Sequence, residues 1–112
     1  MQQITDDYMQ QMLMKSKEYT LVLLKSNPAA QKDNIQQIIW EHGRRNFQLR
    51  AEGLLSIVAP VTQQHELAGI AIFHADAEKA KEIMDDDPAV KEGVFTYEIL
   101  PIRSFAGDSL PA

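Results

Sequence analysis

IQQIIWEHGRRNFQLRAEGLLSIVAP, residues 35–60, carries the pattern that decides the fold. At about 100° per residue, Ile35, Ile38, Ile39, His42, Asn46 and Leu49 fall on one face of a helix, with Glu41, Arg44, Arg45 and Gln48 on the other side. Glu52-Gly53 stops that helix, because glycine takes the left-handed conformation of a C-terminal cap without steric penalty. Leu54–Val61 then reads as an apolar strand with Ala59-Pro60 near its end. The helical stripe is apolar at both ends and polar in the middle, where His42 and Asn46 stand one turn apart. Two such groups are costly to bury unless each finds a partner, so this interruption is the first functional clue. Trp40 and Phe47 lie off the stripe at a common angle and form a second apolar patch, suited to cover by an N-terminal helix or a second subunit.

Upstream, residues 1–17 read as an amphipathic helix capped by Thr5 or Asp6. Its stripe is Ile4, Tyr8 and Met12 with Met9 and Leu13, a packing surface for the body of the domain or for a partner subunit. Tyr19–Lys25 is a continuous apolar run of central-strand type, ended by Ser26-Asn27-Pro28. The following helix begins either at Pro28, capped by Asn27, or after Asp33, and runs through Ala51. Downstream, Thr62–Glu66 is a polar connection and Leu67–Phe73 a third strand. Asp76 caps a second helix with Ala77, Ala80, Ile83 and Met84 inward, closed by Asp85-Asp86-Asp87-Pro88. Three acids at a helix C-terminus oppose the macrodipole. Val94–Ile102 is the last strand, in which Pro101 is tolerated only at an edge or end. An extended tail follows from Arg103, and residues 1–112 read as a single domain with 1–17 a helical extension and 106–112 a tail.

After the first helix the order is β-α-β-β-α-β, the ferredoxin-like α+β arrangement with an antiparallel four-stranded sheet and both helices on one face. The strands are apolar nearly throughout, so the face without helices predicts a partner, met most simply by a homodimer packed sheet on sheet.

Composition narrows the classes. The chain has 112 residues, 45% apolar and 24% charged, ordinary for one globular domain. With 11 basic and 16 acidic residues the net charge is −5, and no dense basic cluster suits nucleic acid. There is no cysteine, so disulfides, thiolate metal sites and cysteine nucleophiles are excluded. No apolar run approaches the roughly 20 residues that span a bilayer, and the N-terminus is not of secretory type; a cytoplasmic protein is the expectation. His42, His65 and His74 lack metal-ligand spacing, and no phosphate loop, serine elbow or dinucleotide fingerprint is present, so neither metal nor cofactor is expected. His65 reads as an exposed turn residue, and His74 as a turn residue near the second helix.

His42, Glu52-Gly53, Leu54-Leu55 and Ala59-Pro60, followed by Asp85-Asp86-Asp87-Pro88, Gly93-Val94 and Pro101, resemble the motifs of the YciI-like (YCII-related) family. The likeness runs from about Tyr19 to Phe105. It implies a dimeric α/β barrel of ferredoxin-like chains and an active site built around a histidine and an aspartate, by position His42 and Asp87. Asn46 and Pro60 are the candidate substrate-binding residues. One branch of the family is associated with dehydrochlorination of a chlorinated hydroxyquinol, and relatives by fold include muconolactone isomerase and small monooxygenases. Ala59 stands where the family usually has glycine, the loop between strands two and three is short, and the N-terminal helix is an addition.

A histidine whose tautomer is fixed by a carboxylate suits general acid–base work, here elimination or isomerisation on a small cyclic or phenolic compound. With the two helices of such a sheet parallel, His42 lies mid-helix and Asp87 at a C-terminus, which leaves open whether they meet directly or through water, substrate or the other subunit, with Asp85 as the fallback acid. The alternatives are a non-catalytic dimeric ligand-binding or interaction domain, in which His42 is a satisfied core residue, and a cofactor-free oxygenase.

Overall fold

The computed structural model describes residues 2–112; the expected start of the first helix at Met1 lies outside them. The elements are α1 (Asp6–Met14), β1 (Ser16–Ser26), α2 (Ile35–Ala51), β2 (Leu55–Pro60), β3 (Leu67–Phe73), α3 (Ala77–Asp85), α4 (Pro88–Lys91) and β4 (Phe95–Phe105). The strands form one antiparallel sheet in the order β2-β3-β1-β4. That order is the ferredoxin-like one expected from the chain, with α1 and the one-turn α4 added. β4 is an edge strand, which is why Pro101 is accepted opposite Thr20. Both β1 and β4 are longer than expected, because Ser16–Tyr19 pairs with Ile102–Phe105 beyond the last row that includes β3.

Local chemistry sets the ends of α2. The helix starts at the later of the two expected positions, with Asn34 as cap. Asn27 serves elsewhere: its amide donates to the Gly93 carbonyl at 2.9 Å and ties the end of β1 to the turn before β4. At the C-terminus Gly53 takes φ +80°, and the N–H groups of Gly53 and Leu54 donate to the Arg50 and Leu49 carbonyls. That double return satisfies carbonyls the helix leaves free and aims the chain into β2. Gly93 does the same for α4, at φ +73°.

One face of the sheet carries α2 and α3. Val22, Leu55 and Phe73 from the strands meet Leu49, Ala80, Ile83 and Met84 from the helices in the main core. A second cluster, Ile38, Ala89 and Val94, lies at the other end of α2. His42 and Asn46 occupy the stretch of α2 between the two clusters, where the stripe turns polar. The other face has no helix. In register across it stand Ile57, Ile72, Leu21 and Leu100, then Ala59, Ile70 and Leu23, then Tyr19 and Ile102.

Of the two places expected for α1, the body of its own chain is not the one it takes: none of its residues is buried. Trp40 and Phe47 are accordingly left 66% and 62% exposed. Ile39, placed on the inward stripe by its angle, is also exposed, 41%, and lies between the cavity and the outer side of the helix.

Gly69 on β3 fixes the spacing of the sheet beside the helices. A Cβ there would stand 2.9 Å from the Ala59 carbonyl oxygen and 3.1 Å from the Pro60 Cα, both backbone atoms that cannot swing aside. Gly69→Ala should therefore lower the free energy of unfolding by about 1–3 kcal/mol, read by urea or thermal denaturation.

Candidate active site between the first long helix and the sheet

A cavity of about 520 Å³ lies between α2 and the strands. Its floor includes Val58, Pro60, Gly69 and Phe73, and its polar side chains are His42, Asn46 and Arg50, all from α2. Everything else on the wall is apolar or glycine. His42, Asn46 and Pro60 thus share one cavity, and Ala59, the residue in the usual glycine position, lines it too.

Asp87 is not on the wall. It sits behind His42, 1% exposed, and its Oδ1 accepts from His42 Nδ1 at 2.8 Å. The contact is direct, the first of the routes left open by the sequence. The reason is that Asp87 does not end α3; it is the N-cap of α4, a helix that the sequence pattern did not reveal. Its Oδ2 accepts from the N–H groups of Ala89 and Val90 at 3.0 and 3.2 Å. Pro88 at the first position of α4 turns the chain under α2 and delivers the carboxylate to mid-helix.

Burial by itself would push the Asp87 carboxyl up. The hydrogen bond and charge of His42, with the two backbone N–H groups, outweigh it and hold the group below the usual carboxylate range. An ionised carboxylate only accepts, so Nδ1 of His42 is the donor, and in the neutral ring that leaves the lone pair on Nε2. Asn46 presents its amide nitrogen to that lone pair at 3.4 Å, a long and weak contact. Phe95 meets the imidazole edge-on at 5.2 Å and limits its rotation.

Arg45 is the residue that helical angle alone misplaces. Assigned to the outer side of α2, it folds back over the α3–α4 turn, with Nη1 3.6 Å from Asp87 Oδ1 and Nη2 3.9 Å from Asp86. Nη1 is buried and makes no hydrogen bond, so it acts on Asp87 as a charge. A long side chain can depart from the direction of its Cα, and no periodicity registers that. Asp85, the fallback acid, is engaged elsewhere with Lys81 at 2.6 Å and the Tyr97 hydroxyl, whose pKa burial and Asp85 push up to about 12. Each acid of the Asp85–Asp87 run therefore has a cation, Lys91 serving Asp86 at 2.6 Å. His65 and His74 are exposed and lie off the cavity. Among the described residues no group of three or more histidines and acids stands close enough to hold a metal ion.

Fold and site together define a ferredoxin-like domain with an imidazole–carboxylate pair behind an apolar cavity. The sequence model of the YCII-related domain matches residues 18–105, and the chain belongs to that family. No functionally curated protein matches it in sequence. Among solved structures, it is similar to 5-chloro-2-hydroxyhydroquinone dehydrochlorinase from Burkholderia phenoliruptrix AC1100, in complex with 2,5-dihydroxybenzoquinone. The TM-score is 0.53 at 16% identity, over 73% of this chain and 90% of that one. At that identity the likeness speaks for the fold. No helix of the described residues is long and apolar enough to cross a membrane.

A carboxylate with a lower pKa folded than unfolded contributes stability that is fully present above its unfolded value, about 3.9, and lost as pH falls through the folded one. Stability should therefore drop as the pH falls below about 4. Asp87→Asn, which keeps the cap but not the charge, should cost about 1.5–3 kcal/mol at neutral pH and flatten that acid limb. Melting curves of both proteins across pH measure it.

Proposed function

We propose that the protein is a small acid–base enzyme in which His42 Nε2 takes a proton from a small cyclic or phenolic compound held in the cavity, promoting elimination or isomerisation. The observation that carries this reading is the direct Asp87–His42 contact, which engages Nδ1 and leaves Nε2 as the ring nitrogen available to the cavity. Asp87 then stabilises the imidazolium that forms, and the same proton is returned to product or solvent. In an elimination the electron pair of the broken C–H or O–H bond expels the leaving group; in an isomerisation it shifts the double bond. Neither needs an oxidant. Asn46 and Pro60 are assigned to substrate contact, Asn46 through an amide freed when a substrate oxygen displaces its 3.4 Å contact. The apolar wall suits a ring, and the similar dehydrochlorinase acts on a ring of this kind.

The bare sheet face supports the other half of the proposal, a homodimer packed face to face. Leu21, Ile57, Ile70 and Ile72 lie in adjacent register rows with no helix above them, a patch of the sort that marks interfaces.

A non-catalytic binding domain is favoured only by the contact of Asn46 with Nε2, which leaves His42 satisfied at both nitrogens. His42→Asn separates the two readings, since its amide nitrogen overlays Nδ1 and keeps the bond to Asp87 while the base is lost. Proton exchange into ring compounds in D2O, followed by NMR, should fall about 10²–10⁴-fold with melting little changed. Equal exchange in both proteins would overturn the catalytic role, whereas retained binding of 2,5-dihydroxybenzoquinone without any exchange in the wild type would support the binding domain. For assembly, Leu21→Glu should convert a dimer into a single chain by sedimentation; a wild type that sediments as one chain overturns the sheet-face contact.

A further inference from the structure

Two apolar surfaces of this chain remain uncovered, and they match each other. The first is α1, whose Tyr8, Met9 and Leu13 are 48%, 48% and 52% exposed. The second is a groove of about 700 Å³ on the outer side of α2, lined by Ile39, Trp40, Gly43, Arg44 and Phe47 among others. We propose that α1 of a second copy lies in this groove, its Tyr8, Met9, Met12 and Leu13 against Trp40 and Phe47, and closes the mouth of the His42 cavity.

The chain cannot make this contact with itself. α1 leaves the body on the two-stranded arm Ser16–Tyr19 paired with Ile102–Phe105, with Lys15 the only residue between helix and strand. Four extended residues span about 13 Å, and nine helical residues about 13 Å more. Folding back along the arm would bring α1 only to the near edge of the sheet. The molecule is accordingly elongated, 56 × 29 × 24 Å.

Charge and shape select a second copy as the occupant. α1 carries Asp6 and Asp7 and no basic residue, whereas the outer side of α2 carries Arg44, paired with Glu41 at 3.2 Å and 57% exposed, and Arg50. Arg44 lines the groove, and Arg50 stands 5.4 Å over the Phe47 ring at its end. Gly43, in the middle of a 17-residue helix, costs about 1 kcal/mol relative to alanine. Nothing within the chain requires it, because a Cβ there would meet no atom within 4 Å. A bare backbone at the floor of a groove serves an approaching helix.

Ile39, Gly43 and Phe47 line both the groove and the His42 cavity, so a helix seated on them walls off one side of the cavity. The docking itself holds whether or not His42 is catalytic; only its effect on access to the cavity rests on the function proposed above.

Trp40 is the only tryptophan of the chain, so its emission reads the contact without labels. The wild type should show a blue shift on concentration, and Leu13→Glu, far from Trp40 in its own chain, should abolish it. Since the chain has no cysteine, co-expressed Leu13→Cys and Gln48→Cys chains joined by a short bismaleimide should give at least tenfold more covalent dimer than Leu13→Cys with Lys81→Cys. Trp40→Glu placed in the Gln48→Cys chain should remove that excess. Exchanging charges tests specificity: Asp6→Lys with Asp7→Lys should weaken docking, and Arg44→Glu in the same chain should restore it. Emission independent of concentration, or cross-linking no greater than the Lys81→Cys control, overturns the proposal whatever the turnover. Cross-linking that survives Trp40→Glu does so as well.

Discussion

The carboxylate of Asp87 is the point at which helix, turn and cavity are fastened together. One oxygen accepts from Nδ1 of His42 on α2, and the other accepts from two N–H groups of α4. Removing that side chain would leave the imidazole N–H and two cap donors without a partner at once, and Arg45 with Asp86 alone. Yet stability does not explain why such an arrangement is present. Hydrocarbon of similar volume would hold α2 to α4 as well, and replacing a buried ion pair by apolar residues is often neutral or stabilising. An imidazole of fixed tautomer is what the polar version supplies and the apolar version does not.

The position of the cavity follows from the same break in pattern. Along α2 the apolar stripe anchors the helix at Ile38 and at Leu49, in two separate clusters. Between those anchors a cavity separates the helix from the strands, and on its floor Gly69 lets the β2 backbone approach closely. The space left is lined by the side chains that face it, so the residues that interrupt the stripe also furnish the site.

How much of this was legible in the sequence depends on the range of the interaction. The βαββαβ order, the Gly53 stop, the limits of β3 and the Asp76 cap were readable, because apolar spacing and capping act over a few residues. Gly93 was readable as part of a family motif, but α4 was not readable as a helix. A helix of four residues carries no periodicity, and its cap, Asp87, looks from the sequence like the third acid of a closing run. The direct contact with His42 was lost with it. Arg45 was missed for a related reason: the course of a long side chain is set by what it meets, here Asp87, 42 positions further along the chain. The exposure of α1 was likewise unreadable, since an apolar stripe states that a helix wants a partner and not which one.

Two glycines bound the cavity, and they differ in what calls for them. Gly69 is explained within the chain, because the Ala59 carbonyl lies where its Cβ would be. Gly43 has no such neighbour, stands in a helix where alanine is favoured, and shares its groove with a 66% exposed tryptophan. A position that weakens its own helix and fills no need of its own fold is intelligible when the need lies outside the fold. α1, held clear of the body by a paired arm and carrying two acids where the groove carries Arg44, is the element of this chain that meets that need.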